Sequence, residues 1–228
     1  MAGNENTLIV GVGGGLGAAL ARLFAIEGMT LALAARDTAK LSDLAAATGA
    51  RTYACDAGQT ASVAGLFKSM DEDFGRLGLV VYNAAARVRG PIAELDPAEV
   101  ERSLRVTAFG AFLVGREAAK RMLAAGSGTI LFTGASAGLK GYPQSAPFAM
   151  GKFALRGLAQ SMARELQPKN IHIAHFAIDG AIAKPGRESG PDAMLEPEAI
   201  ARTYLSVHRQ HRSAWTSEVE LRPWTEKF

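Results

Sequence analysis

The stretch VGVGGGLGAAL, residues 10–20, decides how the rest of the chain is read. It continues an apolar run, TLIVGV (7–12), and opens the Ala- and Leu-rich segment GLGAALARLFAIEG (15–28). The first run predicts a buried strand, and the second a helix that stops at Gly28. Between them Gly11, Gly15 and Gly17 are spaced G-x-x-x-G-x-G, with Gly13 and Gly14 filling the turn. Backbone without Cβ atoms turns sharply and can lie against a diphosphate. The free N–H groups of the helix start, from Leu16 onward, then face the negative charge. Glycines alone are equally a flexible turn, but between a strand and a helix they point to a dinucleotide site.

The same alternation continues along the chain. TLALAAR (30–36), RTYACD (51–56), LGLVVYNAA (77–85), GTILFTG (128–134) and IHIAHFAI (171–178) read as strands, with a short last one at 217–221. Helical patterns cover 38–49, 60–75, about Pro97 to Ala125 with a soft point near Thr107–Gly110, 146–167 and about 197–210. Residues 179–196 are rich in Gly and Pro and read as a loop. Strands that are apolar throughout are buried on both faces, and alternation with helices implies parallel pairing by right-handed crossovers. The expected fold is α/β: a single doubly wound Rossmann-type parallel sheet with helices on both faces, one domain over 1–228.

Composition removes several function classes. Of the 228 residues 48% are hydrophobic and 21% charged, which is globular. No apolar run is long enough to span a bilayer, and the N-terminus carries no basic segment followed by a long apolar one, so neither a membrane nor a secretory route is expected. Cys55 is the sole cysteine, which excludes an internal disulfide; it reads as a small apolar filler in a reducing cytoplasm. The net charge of +3 is mild and its basic residues are scattered, apart from HRQHR (208–212), a solvated helix end. No nucleic-acid module is present. His172 and His175, three apart on a strand, face opposite sides; His208 and His211 share a helix face without completing ligands, which predicts a surface role and no metal site. Phe109, Phe112 and Met122 read as packing residues. The segment WTSEVELRPW (215–224) either covers an apolar partner surface or forms an edge strand with its packing neighbours.

The end of the second strand bears on the cofactor. A carboxylate there would bond ribose hydroxyls and repel a phosphate. Here Ala35 stands at the end and Arg36 follows, and a guanidinium suits a 2′-phosphate. This favours NADP over NAD; a surface arginine at a strand exit is the plainer reading.

These pieces resemble the short-chain dehydrogenase/reductase family over nearly the whole chain. CDAG (55–58) resembles the family's Asp after the third strand, which gives Asp56 the adenine amino group. YNAAA (82–86) resembles its Asn-Ala-Ala-Gly stretch, so Asn83 would brace the central strand and the adenosine side. TAFGAF (107–112) resembles the helix with an active-site asparagine, GTILFTGASAG (128–138) the strand and loop with the catalytic serine, and FAMGK (148–152) the Tyr-x-x-x-Lys motif. The resemblance implies hydride transfer between nicotinamide and an alcohol or carbonyl carbon, with the lysine holding the nicotinamide ribose and lowering the tyrosine's pKa. Residues four apart share a helix face, which is why that pair is spaced so. It also implies a homodimer or homotetramer built by pairing the two long helices.

The chain departs from the pattern where the chemistry lies. Lys152 is kept, but Phe148 replaces the tyrosine, Ala135 the serine, with Ser136 beside it, and Thr107 the asparagine. Ala86 replaces a glycine, and Ile178-Asp179-Gly180 an altered Pro-Gly. A phenyl ring has no proton to give, and a positioned acid or base contributes roughly 10²–10⁴ in rate. Tyr142 and Ser136 are candidate substitutes, each also readable as a turn residue; Ser145 reads as the cap of the helix beginning near Ala146, and Asp179 begins the loop over the nicotinamide. Two readings stand: an NADP-dependent oxidoreductase with altered acid–base groups acting on an unidentified small molecule, or a non-catalytic cofactor-binding sensor or partner subunit.

Overall fold

The computed structural model describes residues 5–183 and 192–226. Strands β1 (Asn6–Val10), β2 (Thr30–Ala35), β3 (Arg51–Ala54), β4 (Leu77–Tyr82), β5 (Gly128–Thr133), β6 (Ile171–Ile178) and β7 (Glu218–Leu221) form one sheet in the order β3-β2-β1-β4-β5-β6-β7. Every neighbouring pair is parallel. The helices are α1 (Leu16–Ile26), α2 (Ser42–Thr48), α3 (Thr60–Asp73), α4 (Pro97–Leu104), α5 (Gly110–Ala125), α6 (Ala146–Leu166) and α7 (Pro197–His208). This is the doubly wound Rossmann-type arrangement. The chain winds outward from β1 to β3, then returns to lay β4 on the other side of β1. That reversal opens a crevice beyond the carboxyl ends of β1 and β4.

The central strands are apolar throughout because both faces are covered. Side chains alternate across the pleat, so Val80 and Tyr82 of β4 join Phe67, Val114 and Leu155 of α3, α5 and α6. Leu79 and Val81 of the same strand join Leu20, Phe24 and Tyr204 of α1 and α7 on the other face. His172 and His175 divide between the faces in the same way, as their spacing predicts: His172 stacks on Trp215 with ring centroids 4.7 Å apart, while His175 lies 3.3 Å from Glu218. Among the described residues no helix is long and apolar enough to cross a membrane, and no group of three potential ligands could hold a metal ion.

Four local readings change. The helix expected over 97–125 is interrupted by a π-helical turn at Arg105–Phe109, the soft point seen in the sequence. There Gly110 lies so near the sheet that a Cβ would stand 2.5 Å from the Tyr82 hydroxyl and 2.6 Å from the Ala57 carbonyl. Met122 is buried, but Phe109 and Phe112 are 40% and 43% exposed and stack on each other instead of entering the core. His208 is no surface residue: its ring is largely covered and Nε2 lies 2.9 Å from a Glu5 carboxylate oxygen. Ser145 precedes α6 in the capping position, yet its hydroxyl bonds none of the helix N–H groups. Residues 184–191 of the 179–196 loop lie outside the described residues; on either side of them Ile182 and Leu195 form a parallel bridge. The 215–224 segment supplies the edge strand β7, and Trp224 is exposed.

The glycine turn is held for two separable reasons. Gly11 has φ +87°, and a Cβ on it would stand 2.4 Å from the Ala84 backbone, so only glycine fits. Gly13, Gly14 and Gly15 meet nothing within 4 Å and have ordinary φ, so their bareness is not needed for packing. We therefore expect Gly11→Ala to lower unfolding free energy by at least about 2 kcal/mol, and Gly14→Ala to change it by less than about 0.5 kcal/mol. Denaturant titration of the two variants checks this; equal effects would contradict it.

Candidate active site

Two cavities share a wall along the carboxyl ends of the strands. The first, about 780 Å³, is lined by Gly11, Gly13 and Gly14, by Arg36 and Lys40, and by Asp56 and Asn83. The second, about 740 Å³, is lined by Ala135, Ser136, Tyr142, Phe148, Lys152 and Asp179, among others. Asn83, Ala85 and Arg87 border both.

In the first cavity the helix start is uncapped. Gly15 occupies the capping position of α1 without a side chain, and no acidic residue lies in the first turn. The N–H groups there are available to an anion. Leu16 contributes only its backbone to this end, because its side chain is buried in the core beneath α1. A Cβ at Gly17 would be 3.0 Å from Val12 Cα, so this glycine lets the loop fold onto the helix. The Asn83 side chain donates to the Gly11 carbonyl at 2.9 Å and its backbone N–H to Val10 at 2.8 Å, pinning the end of β4 to the loop. Asp56 Oδ1 accepts from the Gly58 N–H at 3.0 Å. Arg36 is exposed at the rim. Lys40, which the sequence reading missed, provides a second cation; it sits on the 3₁₀ turn Ala39–Leu41, 3.2 Å from Asp37. The bare, uncrowded glycines and the uncapped helix suit a dinucleotide's diphosphate.

In the second cavity α6 carries the motif residues on one face. Lys152 Nζ is 5.6 Å from the centre of the Phe148 ring. The ammonium is buried and donates to the Thr133 carbonyl at 2.6 Å. Burial pulls its pKa down from the usual 10.5 to about 8.

A family model for short chain dehydrogenases matches residues 5–184. The chain belongs to the short-chain dehydrogenase family. A short-chain dehydrogenase/reductase of Armillaria gallica is 30% identical over 207 residues, covering 87% of this chain and 79% of the relative. The crystal structure of a short-chain dehydrogenase from Rhodopseudomonas palustris is 38% identical, with a TM-score of 0.85 over 97% of this chain and 99% of that one. A metagenomic short-chain oxidoreductase, solved in complex with NADP, is 28% identical, with a TM-score of 0.85 over 96% and 97%.

This short-chain dehydrogenase fold gathers most of the residues singled out in the sequence, but not all reach the cavity. Ala135 begins the loop after β5 in extended conformation, and Ser136 opens the 3₁₀ turn Ser136–Gly138. Both line the cavity, as does the half-exposed Tyr142, whose ring lies 5.7 Å from Lys140 Nζ. Thr107 turns away. It is fully buried in the π turn, its hydroxyl accepts from the Ala86 N–H at 3.1 Å, and it packs where a Cβ on Gly151 would come within 2.9 Å. It braces the backbone after β4. Asp179 is buried with Arg222 at 3.0 Å and Lys140 at 4.0 Å. The loop carrying Ala135 rests on His175, whose Nε2 is 2.1 Å from where a Gly134 Cβ would stand. Burial lowers the pKa of that histidine to about 4, so it is neutral at pH 7.

A group charged in the unfolded chain and discharged earlier in the folded one makes stability depend on pH. Between pH 8 and 10.5 unfolded Lys152 binds more protons than folded Lys152, so stability rises with pH in that window. Relative to Lys152→Met, the parent is expected to gain on the order of 3 kcal/mol across it. Urea unfolding of both proteins at several pH values checks this, and parallel curves would contradict it.

Proposed function

We propose that this chain binds NADP(H) and acts as an oxidoreductase on a carbonyl or related small molecule, with an altered acid–base set. The observation that carries this reading is the first cavity: Gly11, Gly13 and Gly14 with the uncapped α1 start next along the chain for the diphosphate, and Arg36 and Lys40 at the rim where a 2′-phosphate would lie. The NADP complex of the 28% identical metagenomic relative supports it. Asp56 would receive the adenine amino group, and Lys152 would hold the nicotinamide ribose through its ammonium. The cofactor supplies the hydride donor or acceptor.

Around the reacting carbon this chain's own groups do less than the family's usual set. Phe148 offers a ring face and no proton, and Ala135 offers no hydroxyl. Ser136 and Tyr142, both on the cavity wall, carry hydroxyls that would donate or accept one. Lys152, titrating near pH 8, is a cation for most of the neutral range and steadies negative charge. Proximity of cofactor and substrate still contributes to rate without a strong acid.

The second reading, a cofactor-binding protein without turnover, is favoured by Phe148 itself. The two part on one experiment: NADPH oxidation followed against a panel of carbonyls and activated alkenes. The enzyme reading predicts slow turnover that rises about 100-fold or more in Phe148→Tyr combined with Ala135→Ser. No turnover in either protein, with saturable cofactor binding retained, would establish the second reading instead.

We further propose self-association through α5 and α6. Phe112, Met150 and Phe153 are 43%, 52% and 45% exposed, beside Phe109. Exposed apolar residues clustered on long helices mark an interaction surface. Light scattering is expected to find a dimer or tetramer, and Phe112→Glu with Phe153→Glu to yield monomer; an unchanged mass would count against this face.

A further inference from the structure

Two guanidinium groups stand on the wall of the second cavity. Arg87 and Arg89 both line it, and among the described residues neither makes an ion pair. Arg87 stands over the Phe148 ring, 4.8 Å from its centre. Both arginines are exposed at the cavity mouth, and partial burial and then the neighbouring charge of Arg89 make the Arg87 guanidinium easier to deprotonate than usual. Of the carboxylates on the wall, Asp179 is matched by Arg222 and Lys140, and among the described residues Glu226 makes no ion pair with either arginine.

A third group points to the same place. Ser145 lines this cavity, is 3% exposed, and its Oγ is buried with no hydrogen-bond partner. A buried hydroxyl without a partner is costly unless something completes it. The two segments are fastened together, since the Gly90 N–H donates to the Gln144 carbonyl at 3.1 Å, and Gln144 holds a left-handed φ of +57°. Arginines and serine are therefore presented from adjoining, mutually bonded loops.

We propose that the substrate of this site carries an oxyanionic group, a carboxylate or a phosphate, held by Arg87, Arg89 and the Ser145 hydroxyl beside the Phe148 ring. Planar guanidinium forks suit such oxygens, and the phenyl face fixes the orientation of one fork. The inference rests on the oxidoreductase reading for the place of the reacting carbon, but the anion site is testable without turnover.

The test is calorimetric titration of the NADP⁺-saturated protein, in which an aldehyde cannot be reduced. The probes are 4-formylbenzoate, 4-formylphenyl phosphate and the neutral methyl 4-formylbenzoate. At least one anion is expected to bind about tenfold or more tightly than the ester, as charge-assisted hydrogen bonds allow, and the larger preference names carboxylate or phosphate. Arg89→Gln, which does not border the first cavity, is expected to reduce that preference to about threefold or less, and Lys120→Gln on distant α5 to leave it in place. Ser145→Ala is expected to weaken the anions more than the ester. Equal affinity for anions and ester with NADP⁺ bound would overturn the inference, as would a preference that survives Arg89→Gln. Failure of NADP⁺ itself to bind would overturn the functional reading beneath it.

Discussion

At the centre of the sheet the turn after β1 and the end of β4 occupy nearly the same space. The 2.4 Å between an imagined Gly11 Cβ and the Ala84 backbone measures how little room remains. Asn83 uses that proximity, bonding the Gly11 carbonyl with its side chain and the Val10 carbonyl with its backbone. The contact lies where the winding of the sheet reverses, so it fixes the edge from which both cavities open. Gly13 to Gly15 can then stay bare and unpacked, because the neighbouring residues supply the rigidity.

The second cavity depends on a different constraint, a buried ammonium. Among the described residues Lys152 has one hydrogen bond, to the Thr133 carbonyl, and no ion pair. Burial of such a charge is unfavourable, and the surroundings are arranged to hold it all the same. Gly138 lets the loop after β5 lie against the Lys152 backbone, where a Cβ would stand 3.0 Å from its carbonyl oxygen. Gly134 and neutral His175 seat the start of that loop, while Glu218 on β7 binds Arg156 of α6 at 2.7 Å through both oxygens. A buried cation with a lowered pKa in the wall of a cavity is the kind of perturbed group that functional sites hold. Around it the ring of Phe148 meets Arg87, and Thr107 braces Ala86.

Most of the sheet was legible because it is written in local pattern. Apolar runs such as LIV and LVVY are strands in a covered sheet, and Gly28, Gly49 and Gly126 mark helix ends by their positive φ. Gly11, Gly13, Gly14, Arg36, Asp56 and Asn83 could be singled out in the same way, since they lie at strand ends, and the fold brings them to one cavity. Other properties were settled by distant parts of the chain. Phe109 and Phe112 have the hydrophobicity of core residues, and only their exposed placement, at the end of the π turn and on α5, shows that the core is already filled by Val114 and Met122. His208 is covered because Glu5, some two hundred positions away, reaches it. Ser145 stands in the capping position without making the cap bond, and the pairing of its loop with the segment of Arg87 and Arg89 depends on a backbone bond across 54 residues, between Gly90 and Gln144. The π turn at Arg105–Phe109 showed only as weakness in a helical pattern.

The central claim is that the glycine turn, the α1 start and Arg36 with Lys40 form a seat for a phosphorylated dinucleotide. Equilibrium titration of the folded protein with NADPH and, separately, NADH tests it most directly. The account predicts saturable binding of NADPH, tighter than NADH by about tenfold or more, as expected for charge-assisted bonds to one added phosphate. Folded protein that binds neither nucleotide would contradict it.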